Sequence, residues 1–150
     1  MAEDGESAGR ASVAFRVRPG RSYDLNAVVD LYTGCGLVSS PGGFRNELER
    51  KLISDPDLFL VAVDTDGDLI GALSAGFDGR MVAVSRIATH PDRRRQGVAT
   101  ALVDHMQAVL ERLGADDMAM IVIDDTDESR RLWTALGYEE VRRVPLYRQP

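Results

Sequence analysis

Three apolar runs separated by two Asp-Gly turns constrain the fold more than any other part of the sequence. An Asp-Gly pair between apolar stretches is a strong sign of a β-hairpin, because these residues tolerate the positive φ angles of a tight turn. The middle of the chain is therefore predicted to form a meander of three strands. The runs cover residues 58–63, 69–75 and 81–89, and the turns are Asp66-Gly67 and Asp78-Gly79.

A strand and two helices are predicted before the meander. Residues 13–18 alternate briefly in polarity before a Pro-Gly pair, which is typical of a strand that ends in a turn. Apolar residues then recur at helical spacing from Ser22, a predicted N-cap, to Gly34. The same spacing returns over residues 44–53 and predicts a second helix that ends before an Asp-Pro pair.

Helices and strands alternate after the meander, because helical apolar spacing gives way twice to strand-like runs. The complete order β-α-α-β-β-β-α-β-α-β predicts an α/β fold, with a mixed sheet covered by helices on both faces. The later elements are a helix over 98–113, a strand over 118–123, a helix capped by Asp125 and Glu128 and stopped by Gly137, and a strand over 138–147.

Length and composition indicate one soluble domain. A chain of 150 residues is the usual size of a single domain, predicted here over residues 13–150, and the acidic, Gly/Ser-containing residues 1–12 are expected to be a disordered tail. A net charge of −6 argues against a nucleic-acid partner, and no apolar run is long enough to span a membrane. The single cysteine, Cys35, provides no metal pattern. A cytoplasmic protein without a bound metal is expected.

The most informative segment joins the third strand of the meander to the long helix. It contains His90-Pro91 followed by Arg94-Arg95-Gln96-Gly97-Val98-Ala99. A helix N-terminus leaves backbone N–H groups unpaired and carries partial positive charge, so it binds phosphates where small residues let them approach. By itself the segment favours the simpler interpretation, a solvated turn in which Gly97 relieves backbone strain. The glycine patterns of mononucleotide and dinucleotide phosphate loops are absent.

With this segment the chain resembles the GNAT N-acetyltransferases, especially the small stand-alone bacterial members. Their defining stretch is a strand, often His-Pro, and then Arg/Gln-x-x-Gly-x-Gly/Ala at the start of a helix, which corresponds to Arg94 through Ala99. A second family feature, a Leu-Gly-Phe/Tyr turn, stands as Leu136-Gly137-Tyr138. The resemblance implies a mixed, mostly antiparallel sheet of six to seven strands and the use of acetyl-CoA as co-substrate.

The resemblance also implies which residues hold acetyl-CoA. The main chain of the central strand pairs with the pantetheine arm, the helix start binds the pyrophosphate, and residues of the last helix contact pantetheine. Thr126 stands where relatives have Asn. The implied set is Ile87, Ala88, Thr89, Arg94, Arg95, Gln96, Gly97, Val98, Ala99, Thr100, Thr126, Ser129 and Trp133.

The catalytic groups of the family are not in their places. Trp133 replaces the Tyr that protonates the CoA thiolate in many relatives, so it is expected to form an apolar wall beside the cysteamine end of the cofactor. Ser129 is a candidate donor through water, although a helix-start serine is the simpler interpretation. Asp78 is a candidate base at the start of a strand that lacks the family's Glu. Arg86 is expected either to grip an acceptor carboxylate or to form a structural ion pair with an acid such as Glu47 or Asp78.

Three functions follow from these observations. The first is an active acetyltransferase that acts by direct attack of a primary amine in a ternary complex. The second is a non-catalytic acetyl-CoA sensor or structural module, suggested by the missing Tyr and Glu. The third is an unrelated α/β interaction domain. The acceptor stays open between a protein N-terminus, a lysine, an amino acid, a polyamine and an aminoglycoside, and a homodimer is one alternative for the oligomeric state.

Overall fold

Five strands form one sheet in the order in which they occur along the chain. The computed structural model describes residues 14–38, 41–123 and 126–150, with only the main chain of residues 41 and 42. The predicted tail and Asp125 lie outside these residues. The elements are β1 (Phe15–Pro19), α1 (Leu25–Gly34), α2 (Pro41–Ser54), β2 (Phe59–Asp64), β3 (Leu69–Phe77), β4 (Val82–Thr89), α3 (Val98–Arg112), β5 (Met120–Val122) and α4 (Asp127–Ala135).

The predicted meander and the mixed character of the sheet are confirmed. Strands β1 to β4 are antiparallel to their neighbours, whereas β5 is parallel to β4. Strand β5 runs parallel because α3 carries the chain back across the sheet before β5 begins, and a parallel pair needs such a crossover. The result is a mostly antiparallel sheet with one parallel edge.

Helices cover both faces of the sheet, as the order of elements predicted. Apolar residues of α1 and α2 pack on one face, and those of α3, with Trp133 of α4, pack on the other. Strand β2 is buried at every position because both of its faces are covered. Within the described residues, no helix has the length and apolar character that a bilayer-spanning segment needs.

Three expectations about the elements are wrong. The described residues contain five strands rather than six or seven, and residues 138–147 form no strand. Strand β5 has only three residues to pair with, and Pro145 cannot donate to a ladder. Ser22 lies in a short 3-10 turn instead of capping α1. Asp24 takes the N-cap position, and its carboxylate accepts a hydrogen bond from the backbone N–H of Arg21 at 2.8 Å.

A β-bulge in β4 sets which side chains face which helices. Ser74 is opposite Arg86 and Ala75 is opposite Val84, so Ser85 is an extra residue on β4. An extra residue reverses the side-chain alternation beyond it. Before the bulge Val84 belongs to the α3 side of the core; after it, Arg86 turns to the α2 side.

Gly71 on β3 lets the start of α3 approach the sheet. A Cβ atom at this position would lie 2.6 Å from Cγ1 of Val98 and 3.3 Å from the carbonyl oxygen of Ala88. A Cβ atom is essentially never found at the first distance, and the second is tighter than most Cβ contacts. A residue without a side chain is therefore required beneath the first turn of α3.

We expect Gly71→Ala to lower the free energy of unfolding by about 1–3 kcal/mol, because the added methyl group overpacks the contact with Val98. Denaturant unfolding measures this loss. Gly34→Ala is the matched control, since its Cβ would meet no atom within 4 Å and Ala favours a helix. Equal stability of the two variants would contradict the tight contact.

Candidate active site

Strands β4 and β5 separate after a short stretch of pairing. The pairs run from Val82 with Met120 to Val84 with Val122, and the N–H of Ile123 donates to the carbonyl of Val84 at 2.9 Å. Beyond Val84, β4 continues to Thr89 beside β3 alone. The far half of β4 therefore has one edge that no described strand covers.

The main chain of Ile87 and Thr89 faces this open edge. The N–H of His90 donates to the carbonyl of Ile70 on β3 at 2.8 Å, and successive residues of a strand point their backbone groups in opposite directions. Thr89 and Ile87 must then point away from β3. Ala88, between them, directs its main chain to β3, and its side chain lies in the core on the α1 side.

Gly97 begins α3 in a left-handed conformation that favours glycine. Its φ and ψ angles are 83° and 9°, and within the described chain no side chain caps this end of the helix. The N–H of Ala101 makes a helical bond to the carbonyl of Gly97 at 3.0 Å. A Cβ at Gly97 would meet nothing within 4 Å, so the space in front of the helix start is open.

The remaining residues of this segment divide into buried and accessible groups. Val98 is buried in the core, and Ala99 packs against the core. Only the main chain of these two residues, and not their side chains, is therefore available to a ligand. Arg95 and Thr100 are exposed, and Arg95 has a φ of 64°, which is unusual for a residue with a side chain. The Oε1 atom of Gln96 is buried without a hydrogen-bond partner among the described residues.

The three consecutive arginines have different surroundings. Arg93 donates to the buried carboxylate of Asp64 at 3.1 Å and so belongs to the β2–β3 hairpin. Arg94 reaches the carboxylate of Glu128 at 3.4 Å and the carbonyl of Thr89 at 3.4 Å, which joins the helix start to α4 and to the open edge of β4. Only Arg94 and Arg95 are accessible beside the start of α3.

Thr126, Ser129 and Trp133 lie at the start and along the inner face of α4. Thr126 is the N-cap, and its hydroxyl accepts from the N–H of Ser129 at 3.0 Å. Ser129 and Trp133, one turn apart, are both buried. The indole N–H of Trp133 has no hydrogen-bond partner among the described residues. Its ring meets that of Tyr138 edge to face, with centroids 5.1 Å apart.

Two of the four tyrosines, all within the described chain, have hydrogen-bonded phenols, and the other two are exposed. The hydroxyl of Tyr138 accepts a hydrogen bond from the amide of Gln107 on α3. Tyr32 is buried and paired with Ser74 at 3.0 Å, and burial raises the pKa of its phenol well above the usual value. Tyr23 and Tyr147 are exposed.

The structure favours a turn-forming role for Asp78. Its carboxylate accepts hydrogen bonds from the backbone N–H groups of Met81 at 2.7 Å and Arg80 at 2.8 Å. These bonds hold the pKa of Asp78 below its usual value, which makes the carboxylate a weaker base. His90 is similarly occupied, since its Nδ1 atom accepts from the N–H of Asp92.

Arg86 forms an ion pair, which is one of the two roles that the sequence analysis gave for this residue. Its guanidinium contacts the carboxylate of Glu47 at 2.7 Å, donates to the carbonyl of Leu37 at 3.3 Å and lies 4.3 Å from the ring centroid of Phe44. These contacts tie β4 to α2. No sequence signal identified Cys35 as a neighbour of the site, yet its Sγ atom lies 3.8 Å from the Thr89 carbonyl oxygen.

Comparison with known proteins identifies the family. The model of the Acetyltransferase (GNAT) family matches residues 25–138. The chain belongs to this family. An acetyltransferase of Pectobacterium atrosepticum is 33% identical over 130 residues, which is 87% of this chain and 92% of that protein. An acetyltransferase of Sodalis glossinidius is 33% identical over 82% of this chain and 86% of its own length.

Solved structures share the fold at lower identity. An aminoglycoside 6'-N-acetyltransferase of Acinetobacter haemolyticus has a TM-score of 0.75 and 22% identity, over 90% of this chain and 98% of its own. An aminoglycoside N-acetyltransferase solved with CoA has a TM-score of 0.68 and 24% identity, over 95% and 99%. Family membership makes the protein an enzyme that transfers acetyl groups to amines, and it rejects the unrelated interaction domain. The sensor alternative is not favoured.

We expect Arg86→Met to lower the free energy of unfolding by about 1–2 kcal/mol, because it removes the ion pair with Glu47 and the contact with Phe44. Activity should fall equally, if at all, on amines with and without a carboxylate. Denaturant unfolding and an acceptor panel measure the two effects. A loss confined to carboxylate-bearing amines would show instead that Arg86 grips the acceptor.

Proposed function

We propose that acetyl-CoA binds between the open edge of β4 and the start of α3, and that its acetyl group passes to a primary amine by direct attack in a ternary complex. The observation that carries this proposal is that the open edge of β4 and the N-terminus of α3 lie close together. The guanidinium of Arg94, four residues before α3, reaches the carbonyl of Thr89 on the open edge. One extended ligand can contact both.

The start of α3 fits a pyrophosphate. The N–H groups of its first turn lack helical partners, and the open space in front of Gly97 lets phosphate oxygens approach the main chain. Arg94 and Arg95 supply positive charge at the same end, and Thr100 offers an exposed hydroxyl. The left-handed φ of Arg95 is consistent with a segment shaped for binding rather than for stability.

The open edge of β4 fits the pantetheine arm. The amide groups of the pantetheine arm offer hydrogen-bond donors and acceptors as a peptide does. They can therefore pair with the main chain of Ile87 and Thr89 as an added strand would. In this proposal, Thr126, Ser129 and Trp133 of α4 contact the arm near its thioester end. The unpartnered polar atoms of Gln96 and Trp133 are further groups that a bound ligand can satisfy.

The protein supplies position and polarity rather than a strong side-chain acid or base. The amine must lose a proton before it attacks, and water beside main-chain carbonyls of β4 is the proposed route, because Asp78 is engaged in its turn. Ser129 is proposed to hold a water near the departing sulfur. The negative net charge of −6 favours a cationic amine as acceptor.

We expect Gly97→Glu to abolish binding of acetyl-CoA, because it places a side chain and a negative charge where the pyrophosphate lies. Gly114→Glu is the matched control at the other end of α3, where the glycine also has positive φ and open space around its Cβ position. Both variants carry similar backbone strain of about 1–2 kcal/mol.

Calorimetric titration with acetyl-CoA and thiol release with a panel of amines measure the outcome of this comparison. Gly114→Glu should bind and react like the unmodified protein, whereas Gly97→Glu should do neither while remaining folded. Normal binding by a folded Gly97→Glu protein would falsify the proposed phosphate site. Acetyl-CoA binding by the unmodified protein without thiol release from any amine would restore the sensor alternative.

We expect Glu128→Gln to tighten acetyl-CoA binding by up to about fivefold. The ion pair between Glu128 and Arg94 is exposed, and breaking such a pair costs at most about 1 kcal/mol, which corresponds to that change in affinity. The substitution removes a negative charge beside the phosphates and frees Arg94. Titrations at low and high salt should show the gain shrinking with ionic strength. Glu111→Gln, at the far end of α3, should leave affinity unchanged; weaker binding in Glu128→Gln would contradict the role of Arg94.

A further inference from the structure

The indole N–H of Trp133 is a buried donor for which the described part of the chain provides no acceptor. The residue is only 7% exposed, and its Nε1 atom has no hydrogen-bond partner among the described residues. Buried donors in folded proteins are nearly always paired, so an unpaired one indicates a group that the protein is built to receive.

Trp133 lies on the α3 side of the sheet, in the apolar cluster to which the end of the β4–β5 pairing also contributes. Its ring belongs to the same apolar cluster as Val84 and Ile87 of β4, and Val122 of β5 packs against that cluster. Val84 and Val122 form the last pair of the two strands, and the open edge of β4 begins immediately beyond them. In the proposed binding mode, the thioester end of the cofactor reaches this place.

Neighbouring residues hold the indole in one orientation. The ring of Tyr138 meets it at an interplanar angle of 89°, and the N–H of Tyr138 donates to the carbonyl of Trp133 at 2.9 Å. Tyr138 is itself tied to α3 through Gln107. A donor fixed in this way needs no reorganisation when charge develops beside it, which is the property that makes such a group effective in a transition state.

We infer that the indole N–H of Trp133 donates a hydrogen bond to the sulfur of CoA as that sulfur leaves as a thiolate. The inference rests on the proposed function. The amine lone pair forms the new C–N bond, the C–S bond breaks, and its electron pair stays on sulfur. The nitrogen proton goes to water, and water later protonates the thiolate. Trp133 donates a hydrogen bond throughout and keeps its own proton.

The hydrogen bond discriminates between the thiolate and the thioester. Bonds to an ionised acceptor are roughly twice as strong as those between neutral groups, and a thioester sulfur is a weak acceptor. Trp133 therefore stabilises the departing group more than the bound substrate, which is how an interaction accelerates a reaction. It does so as a hydrogen-bond donor, since an indole is not an acid near neutral pH. Trp133 is thus more than the apolar wall expected from the sequence.

The test is the pH dependence of CoA binding compared with desulfo-CoA, which lacks the sulfur atom. A donor to the thiolate lowers the pKa of the bound thiol below that of the free thiol. CoA affinity should then rise with pH between these two pKa values, while desulfo-CoA affinity should not. Calorimetric titrations should show the affinity ratio of CoA to desulfo-CoA rising about tenfold or more in the unmodified protein.

Two variants separate the N–H from the shape of the ring. In Trp133→Phe the rise of this ratio should shrink to less than about threefold, although both ligands lose affinity through poorer packing. Replacement of Trp133 by 3-benzothienylalanine keeps the indole shape without the N–H and should have the same effect with less loss of packing. Trp133 is the only tryptophan, so quenching of its fluorescence by CoA, but not desulfo-CoA, should follow the same pH profile.

The outcomes distinguish this inference from the proposed function. A tenfold rise retained in both variants, or no rise in the unmodified protein that binds both ligands, would overturn the role of the indole N–H and leave the binding site intact. Failure of the unmodified protein to bind either ligand would overturn the proposed function itself, and this inference with it.

Discussion

The unequal pairing of β4 with its two neighbours is the constraint from which the site follows. β4 pairs with β3 at seven positions but with β5 at only three. Backbone N–H and C=O groups require partners, so the uncovered edge from Ser85 to Thr89 is a ready acceptor for a peptide-like ligand. In the proposed binding mode much of the binding site is therefore main chain, which explains why the side-chain signature in the sequence is short.

The tight approach of α3 to the sheet places the second half of the site. Val98 and Leu102 pack directly over Gly71 of β3, and this contact holds the start of α3 beside the end of β4. The same helix end needs left-handed geometry at Gly97 to expose its N–H groups. Gly71 therefore allows the helix to pack on the sheet, and Gly97 leaves open space at the N-terminus of the helix.

The arginines differ in their roles according to how far they are buried. Arg93 and Arg86 find carboxylates across element boundaries and hold the frame together, whereas Arg94 and Arg95 remain accessible at the helix start. The inner face of α4 carries buried polar atoms of Ser129 and Trp133 instead of charges. In such buried surroundings a hydrogen bond to a charged acceptor is stronger than in water.

Local pattern determined the elements that form over short distances. The Asp-Gly hairpins, the apolar face of α3 and the strand-to-helix motif at Gly97 were predictable because turn chemistry and side-chain periodicity act between close neighbours. The prediction of a last strand over residues 138–147 was wrong, because a strand-like sequence pattern does not supply a partner strand. Only the tertiary structure decided the bulge at Ser85 and the burial of the Trp133 N–H away from any acceptor in the described ranges. It likewise decided the pairs of Arg86 with Glu47 and of Arg94 with Glu128, since these depend on segments that meet only when the chain has folded.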